Sequence, residues 1–134
     1  MKYTASAFSS AHNNASIHVK DTQIPFGITK ETNDSLPSPA ELFLSAFTAC
    51  VLKNVERFSI FMKFEYTRAE IEVKASWLEK PPRMDEIEYE LRVFSNDSTI
   101  NIDLLHRNIE KFGTIYNTVK LACKVSGEIK LIVE

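Results

Sequence analysis

Residues 38–50 read SPAELFLSAFTAC, and the fold class turns on how this stretch is read. Ser38 has a side-chain oxygen that can accept from a free backbone N–H at a helix start. Pro39 suits the first helical position, and Glu41 completes an S-x-x-E capping box. A helix is therefore predicted to begin at Ser38 and to run to about Met62. From Leu42 to Leu52 it carries no charge, and Ser45 and Thr48 are its only polar side chains. A helix that is apolar all round is buried on all sides. The uncharged stretch is too short for a membrane span, which needs ~20 residues. Its place is thus inside a protein core or an oligomer interface.

Outward from this helix, the segment TRAEIEVKASWLEK alternates strictly. Ala69, Ile71, Val73, Ala75 and Trp77 take one face, and Arg68, Glu70, Glu72, Lys74 and Ser76 the other. That two-residue period is a strand with one wet face. Pro81 and Pro82 break it, and EIEYELRVF repeats it, with Ile87, Tyr89, Leu91 and Val93 on the apolar side. Two such strands with a short connection form an antiparallel pair. Asn101 to Phe112 reads as a helix with Ile102, Leu105 and Ile109 on one face. Gly113 interrupts it, Thr114 to Ala122 reads as another short helix, and Glu128 to Val133 as a last strand. On the N-terminal side, Lys2 to Phe8, Ala15 to Lys20 and Gln23 to Ile28 are predicted strands, and Asp34 to Ser38 is loop. Mixed strands with segregated helices give the α+β class.

The chain has 134 residues, 44% hydrophobic and 25% charged, with a net charge of -2. This fits a single domain over residues 1–134. The interspersed charge offers no basic stripe for nucleic acid and no membrane-surface signal. The N-terminal MKYTASAFSSAHNN has no apolar run of signal-peptide length, so a cytoplasmic protein is expected. Two cysteines and three histidines lack metal-ligand spacing, and no metal or other cofactor is expected. Two cysteines make no disulfide framework; in a reducing compartment they are core residues or redox groups.

Cys50 is the cysteine of the apolar helix. At about 100° per residue it shares a face with Phe43, Phe47 and Asn54. Its thiol is therefore expected beside two aromatic rings and an amide. The helix macrodipole acts mainly in the first turn and cannot strongly activate a thiol this far along. Burial among apolar groups would oppose ionisation. From physical chemistry alone, Cys50 is a core cysteine or a reactive thiol, and Glu41 is a capping residue.

The run SPAELFLSAFTAC also resembles the central-helix motif of the OsmC/Ohr superfamily, the osmotically inducible and organic hydroperoxide resistance proteins. Those read small/Asn-Pro-x-Glu/Gln-Leu, then small and apolar residues, then Ala/Gly-Cys. The charged strand pair, the helix ending EKFG, the segment TIYNTV and the closing strand follow in family order. The resemblance implies antiparallel sheets around a long buried central helix in an intertwined homodimer. It also implies a thiol-dependent peroxidase of the oxidative stress response that reduces organic hydroperoxides. Cys50 would be the nucleophile and Cys123 its partner. Phe43, Phe47 and Asn54 would line the substrate pocket, and an external thiol would be the reductant. The alternative is a non-enzymatic homologue, a dimer that binds or senses a small apolar or thiol-reactive ligand.

Three positions depart from the family pattern. Gly113 stands where the second cysteine usually sits, Ala40 where a glutamate usually follows the proline, and no arginine precedes Arg57. Cys123 lies ten residues beyond Gly113 and can resolve Cys50 only if packing brings the two together. His18 and His106 are expected to be solvated, His12 lies in a loop near the region of the family arginine, and Tyr116 and Trp77 are expected in the core.

Overall fold

The computed structural model describes residues 1–134. Six strands and three α-helices follow one another: β1 (Ser6–Ser9), β2 (Ala15–Val19), β3 (Thr22–Phe26), α1 (Pro39–Phe61), β4 (Arg68–Glu79), β5 (Pro82–Ser95), α2 (Ile102–Phe112), α3 (Thr114–Val119) and β6 (Lys124–Val133). The chain is α+β, as its pattern predicts. It divides into two compact units, residues 1–43 and 44–134, and α1 begins in the first and continues through the second.

The first unit is an antiparallel three-stranded sheet in the order β1-β2-β3, followed by a single 3-10 turn at Lys30–Thr32. Its central strand buries Ala15. The capping box at the start of α1 forms as expected. The Glu41 amide donates to Ser38 Oγ at 3.2 Å, and the Ser38 amide donates to Glu41 Oε1 at 3.0 Å. These bonds from Ser38 hold the Glu41 carboxyl below its usual range, because they stabilise the ionised form. Glu41 is thereby engaged at the helix start.

The second unit is built on β5. This strand lies between β4, antiparallel to it, and β6, parallel to it. The parallel pair departs from the antiparallel sheets that the resemblance implied. A parallel neighbour needs a crossover of a dozen or more residues, and α2 with α3 supplies it. The two-residue period of β5 survives in three dimensions: Ile87, Tyr89, Leu91, Val93 and Ser95 are buried. Against them pack Phe47, Val51, Val55 and Phe58 of α1, Leu105 and Ile109 of α2, and Tyr116 and Val119 of α3. Each fully buried apolar side chain contributes about 1.5–3 kcal/mol.

One expectation about burial is corrected, the core place of Trp77, while α1 is covered by the chain itself on one face only: Phe47, Val51, Asn54, Val55, Phe58 and Ser59 are buried, and Ala46, Ala49 and Ile60 on the opposite side are exposed. One sheet and two short helices within a single chain reach only one side of a helix this long. Trp77 is 72% exposed, although its place in the period puts it on the apolar face of β4. The end of the β4–β5 hairpin, from Ala75 to Arg83, extends past the helices that cover the rest of the sheet.

Gly127 marks a close approach within this sheet. It pairs with Tyr89 across β5–β6, and a Cβ there would lie 2.0 Å from the Tyr89 ring. Gly127→Ala must therefore displace a buried ring. It is expected to destabilise the protein by about 1–3 kcal/mol or more, read from urea unfolding; an unchanged midpoint would show that the ring yields without cost.

Candidate active site

Cys50 sits at the margin of the buried stripe of α1 and is half-buried. Asn54, one turn later, is buried, and its amide nitrogen donates to the Cys50 carbonyl at 2.9 Å and to Sγ at 3.7 Å. The expected amide beside the thiol is present. Phe47, one turn earlier, is fully buried, with its ring 5.7 Å from Tyr89 and 6.0 Å from Tyr116. Phe43 closes the first unit and is 44% exposed.

Opposite the thiol stands Gly113, the cap between α2 and α3. A Cβ on Gly113 would lie 3.2 Å from Cys50 Sγ, 3.1 Å from Tyr116 Cβ and 3.0 Å from the Ile109 carbonyl oxygen. Gly113 has φ -74° and ψ 117°, backbone that any residue adopts, so its lack of a side chain matters through space rather than conformation. Cys123 has a separate environment. Its Sγ donates to the Met84 carbonyl oxygen at 3.5 Å, where β6 begins beside the start of β5, and both thiols are free.

Behind Tyr116 runs a polar network. Its hydroxyl donates to Glu110 Oε2 at 3.0 Å, and His106 Nε2 lies 3.4 Å from the same oxygen. The Tyr89 hydroxyl and His106 Nε2 share a hydrogen bond at 3.1 Å. Burial, then the bond to Glu110, pushes the Tyr116 phenol well above the ordinary tyrosine range. Burial, then the Glu110 charge, does the same at Tyr89. Both phenols are thus neutral at physiological pH. His106 is half-buried in this network rather than solvated on the polar side of α2. The i,i+4 spacing of His106 and Glu110 was the only sequence signal for it, because the tyrosines come from two other elements. No cluster of His, Cys, Asp and Glu with the geometry of a metal site occurs.

The OsmC-like protein family model matches residues 32–128. The chain belongs to this family. An OsmC-like protein from Mycoplasma pneumoniae has the same fold at 17% identity and TM-score 0.86, with 98% of each chain covered. An organic hydroperoxide resistance protein, OsmC, from Legionella pneumophila matches at 13% identity and TM-score 0.71, over 96% of this chain and 97% of that one. The organic hydroperoxide resistance protein OhrB of Bacillus subtilis matches at 14% identity and TM-score 0.67, over 96% and 98%. These identities show a shared fold. No curated protein matches the sequence. No helix is long and apolar enough to cross a membrane.

The geometry at Gly113 has a direct test. In a disulfide each Cβ lies about 3 Å from the partner sulfur, given the usual bond lengths, and a Cβ on residue 113 already falls at 3.2 Å from Cys50 Sγ. Gly113→Cys is expected to form an intramolecular disulfide with Cys50 on mild oxidation. Peptide mapping without reductant should find that link. Two free thiols at positions 50 and 113 after oxidation would show that the Ile109 and Tyr116 contacts forbid it.

Proposed function

We propose that the protein is a thiol-dependent peroxidase acting on organic hydroperoxides, with Cys50 as the nucleophile and an external thiol completing the cycle. One observation carries the reading: a half-buried thiol faces the bare backbone of Gly113, with Tyr116 packed against the same glycine. Family membership and neighbours named organic hydroperoxide resistance proteins support it. The Cys50 thiolate attacks the distal oxygen of the hydroperoxide, the O–O bond breaks, and the alkoxide takes a proton and leaves as the alcohol. The sulfur becomes a sulfenic acid. An external thiol attacks that sulfur and releases water, leaving a mixed disulfide. A second external thiol then frees Cys50 and departs as the oxidised dithiol. Cys123, bonded to the Met84 carbonyl, takes no part in this cycle.

The second reading, a non-enzymatic homologue that binds or senses an apolar or thiol-reactive ligand, is favoured by one observation. The side chain hydrogen-bonded to the Cys50 thiol is the neutral amide of Asn54, which neither accepts a proton nor offsets a thiolate charge. Turnover separates the two. With a dithiol reductant, the wild type is expected to reduce cumene hydroperoxide faster than hydrogen peroxide, because apolar walls retain apolar ligands. Cys50→Ser abolishes both reactions and Cys123→Ser neither. Equal slow rates with the two oxidants, matching a free thiol, would favour the binding protein.

We also propose a homodimer. The exposed side of α1 combines Ile60 with Ala46 and Ala49, whose small side chains admit a close neighbour. Covering it takes surface that one chain does not possess, and obligate interfaces are large and apolar. Sedimentation equilibrium at micromolar concentration is expected to give twice the 15.3 kDa chain mass; a stable monomer at that concentration would remove the claim.

A further inference from the structure

The backbone that faces Cys50 belongs to a junction of one residue. α2 ends at Phe112 and α3 begins at Thr114, so Gly113 alone joins the two helices. Its amide donates to the Ile109 carbonyl at 3.1 Å, and its carbonyl accepts from the Asn117 amide at 2.8 Å. The first bond completes α2 and the second starts α3; neither runs from one helix to the other. Glycine has no Cβ to restrict its backbone torsions, so side chains have to fix the angle between the helices.

Two side-chain bonds cross the junction. The Tyr116 hydroxyl donates to Glu110 Oε2 at 3.0 Å, and Asn117 Nδ2 donates to the Lys111 carbonyl at 3.0 Å. Successive helical residues point about 100° apart, so the two bonds brace the junction in different directions. The Tyr116 brace is the inner one, since Tyr116 is buried and Asn117 half-buried. Its far end is held as well. His106 Nε2 lies 3.4 Å from the same Glu110 oxygen and shares a hydrogen bond with the Tyr89 hydroxyl at 3.1 Å. The inner brace thus leads from α3 through α2 to the central strand β5.

What this brace holds in place is bare backbone against a sulfur. A Cβ on Gly113 would meet Cys50 Sγ at 3.2 Å and Tyr116 Cβ at 3.1 Å. Gly113 therefore closes one side of the thiol, and Asn54 occupies another. A swing of α3 that withdraws Gly113 would open the sulfur. The bond between Tyr116 and Glu110 opposes that swing.

We propose that Glu110 is a positioning residue for the Cys50 site: by holding the Tyr116 hydroxyl it keeps the Gly113 junction against the sulfur, and this sets how readily the thiol meets another molecule. The inference rests on Cys50 being the reactive thiol of the proposed function and adds the residue that controls access to it. The effect needs no turnover to be seen.

Alkylation by iodoacetamide at fixed pH, followed on each cysteine peptide of the intact protein by mass spectrometry, reads that access. Cys123 is the internal reference, because it is half-buried too and bonded elsewhere, to the Met84 carbonyl. Tyr116→Phe keeps the ring and removes only the hydroxyl. It is expected to speed the Cys50 reaction about threefold or more and to leave Cys123 unchanged. Glu110→Leu should do the same. Glu110→Gln should stay close to wild type, since its amide oxygen accepts the same bond. Both substitutions of Glu110 remove the carboxylate charge, so a difference between them reports the bond and not an electrostatic effect on the thiol. Tyr116→Phe combined with Glu110→Leu should add nothing to either alone. The Glu110 side chain is 36% exposed, so the comparison of its two variants stands even if Tyr116→Phe misfolds. An unchanged Cys50 rate in a folded Tyr116→Phe, equal rates in the two Glu110 variants, or parallel acceleration of both cysteines at an unchanged urea midpoint would overturn the proposal. Acceleration in the variants of a protein that turns over no hydroperoxide would sink the peroxidase reading and leave the brace in place; turnover with a Cys50 rate that no variant alters would do the reverse.

Discussion

The second unit depends on one contact, the stripe Phe47–Val51–Val55–Phe58 of α1 laid on the apolar face of β5. β5 is the central strand, so its inward residues have to be covered by something other than sheet. Ile87, Leu91 and Val93 are buried without residual exposure, and that burial requires a helix with an uninterrupted apolar stripe. Once α1 lies in this orientation, its rotation is set. Cys50 falls at the margin of the stripe, neither sealed in the core nor open on the surface. A rotation of one residue's arc, about 100°, would bury the thiol or expose it fully. The half-burial of Cys50 is thus a by-product of core packing.

The surroundings of the thiol follow from how α2 and α3 close over the sheet. Gly113 sits at their junction and meets Cys50 because Tyr116, in the first turn of α3, is anchored by Glu110 of α2 and packs its ring 6.0 Å from that of Phe47 of α1. These contacts hold the junction against α1 with no side chain interposed. The same arrangement that would suit a second cysteine leaves, with glycine, a single thiol facing bare backbone.

Electrostatics divides the molecule along the same line. On the wet face of the second sheet, Arg92 pairs with Glu70, Glu72 and Glu90, and Lys130 with Glu90 and Glu128. Such exposed pairs contribute little each, but they balance the charge of that face and keep it polar. Beside α1 and α2, by contrast, Arg57 and Lys111 face aromatic rings and no carboxylate.

What the sequence by itself determined is what depends on near neighbours along the chain. Ser38 and Glu41 lie three residues apart, so their capping box is a local event, and α1 starts where they place it. The alternation in β4 and β5 shows which residues face inward, because a strand's period does not depend on what covers it. The placement of Asn54 beside Cys50 follows from helical geometry alone. The tertiary structure decided the rest. Periodicity orders Trp77 with the apolar face of β4 but cannot show that cover ends before the hairpin tip. It cannot show that β6 returns parallel to β5, because that depends on the path of the crossover. His106 reads as a polar helix residue until Tyr89, seventeen positions earlier, is folded beside it. The meeting of Cys50 with Gly113 joins residues more than sixty apart in sequence, and no local signal encodes such a distance, since only the packed core brings the two backbones together.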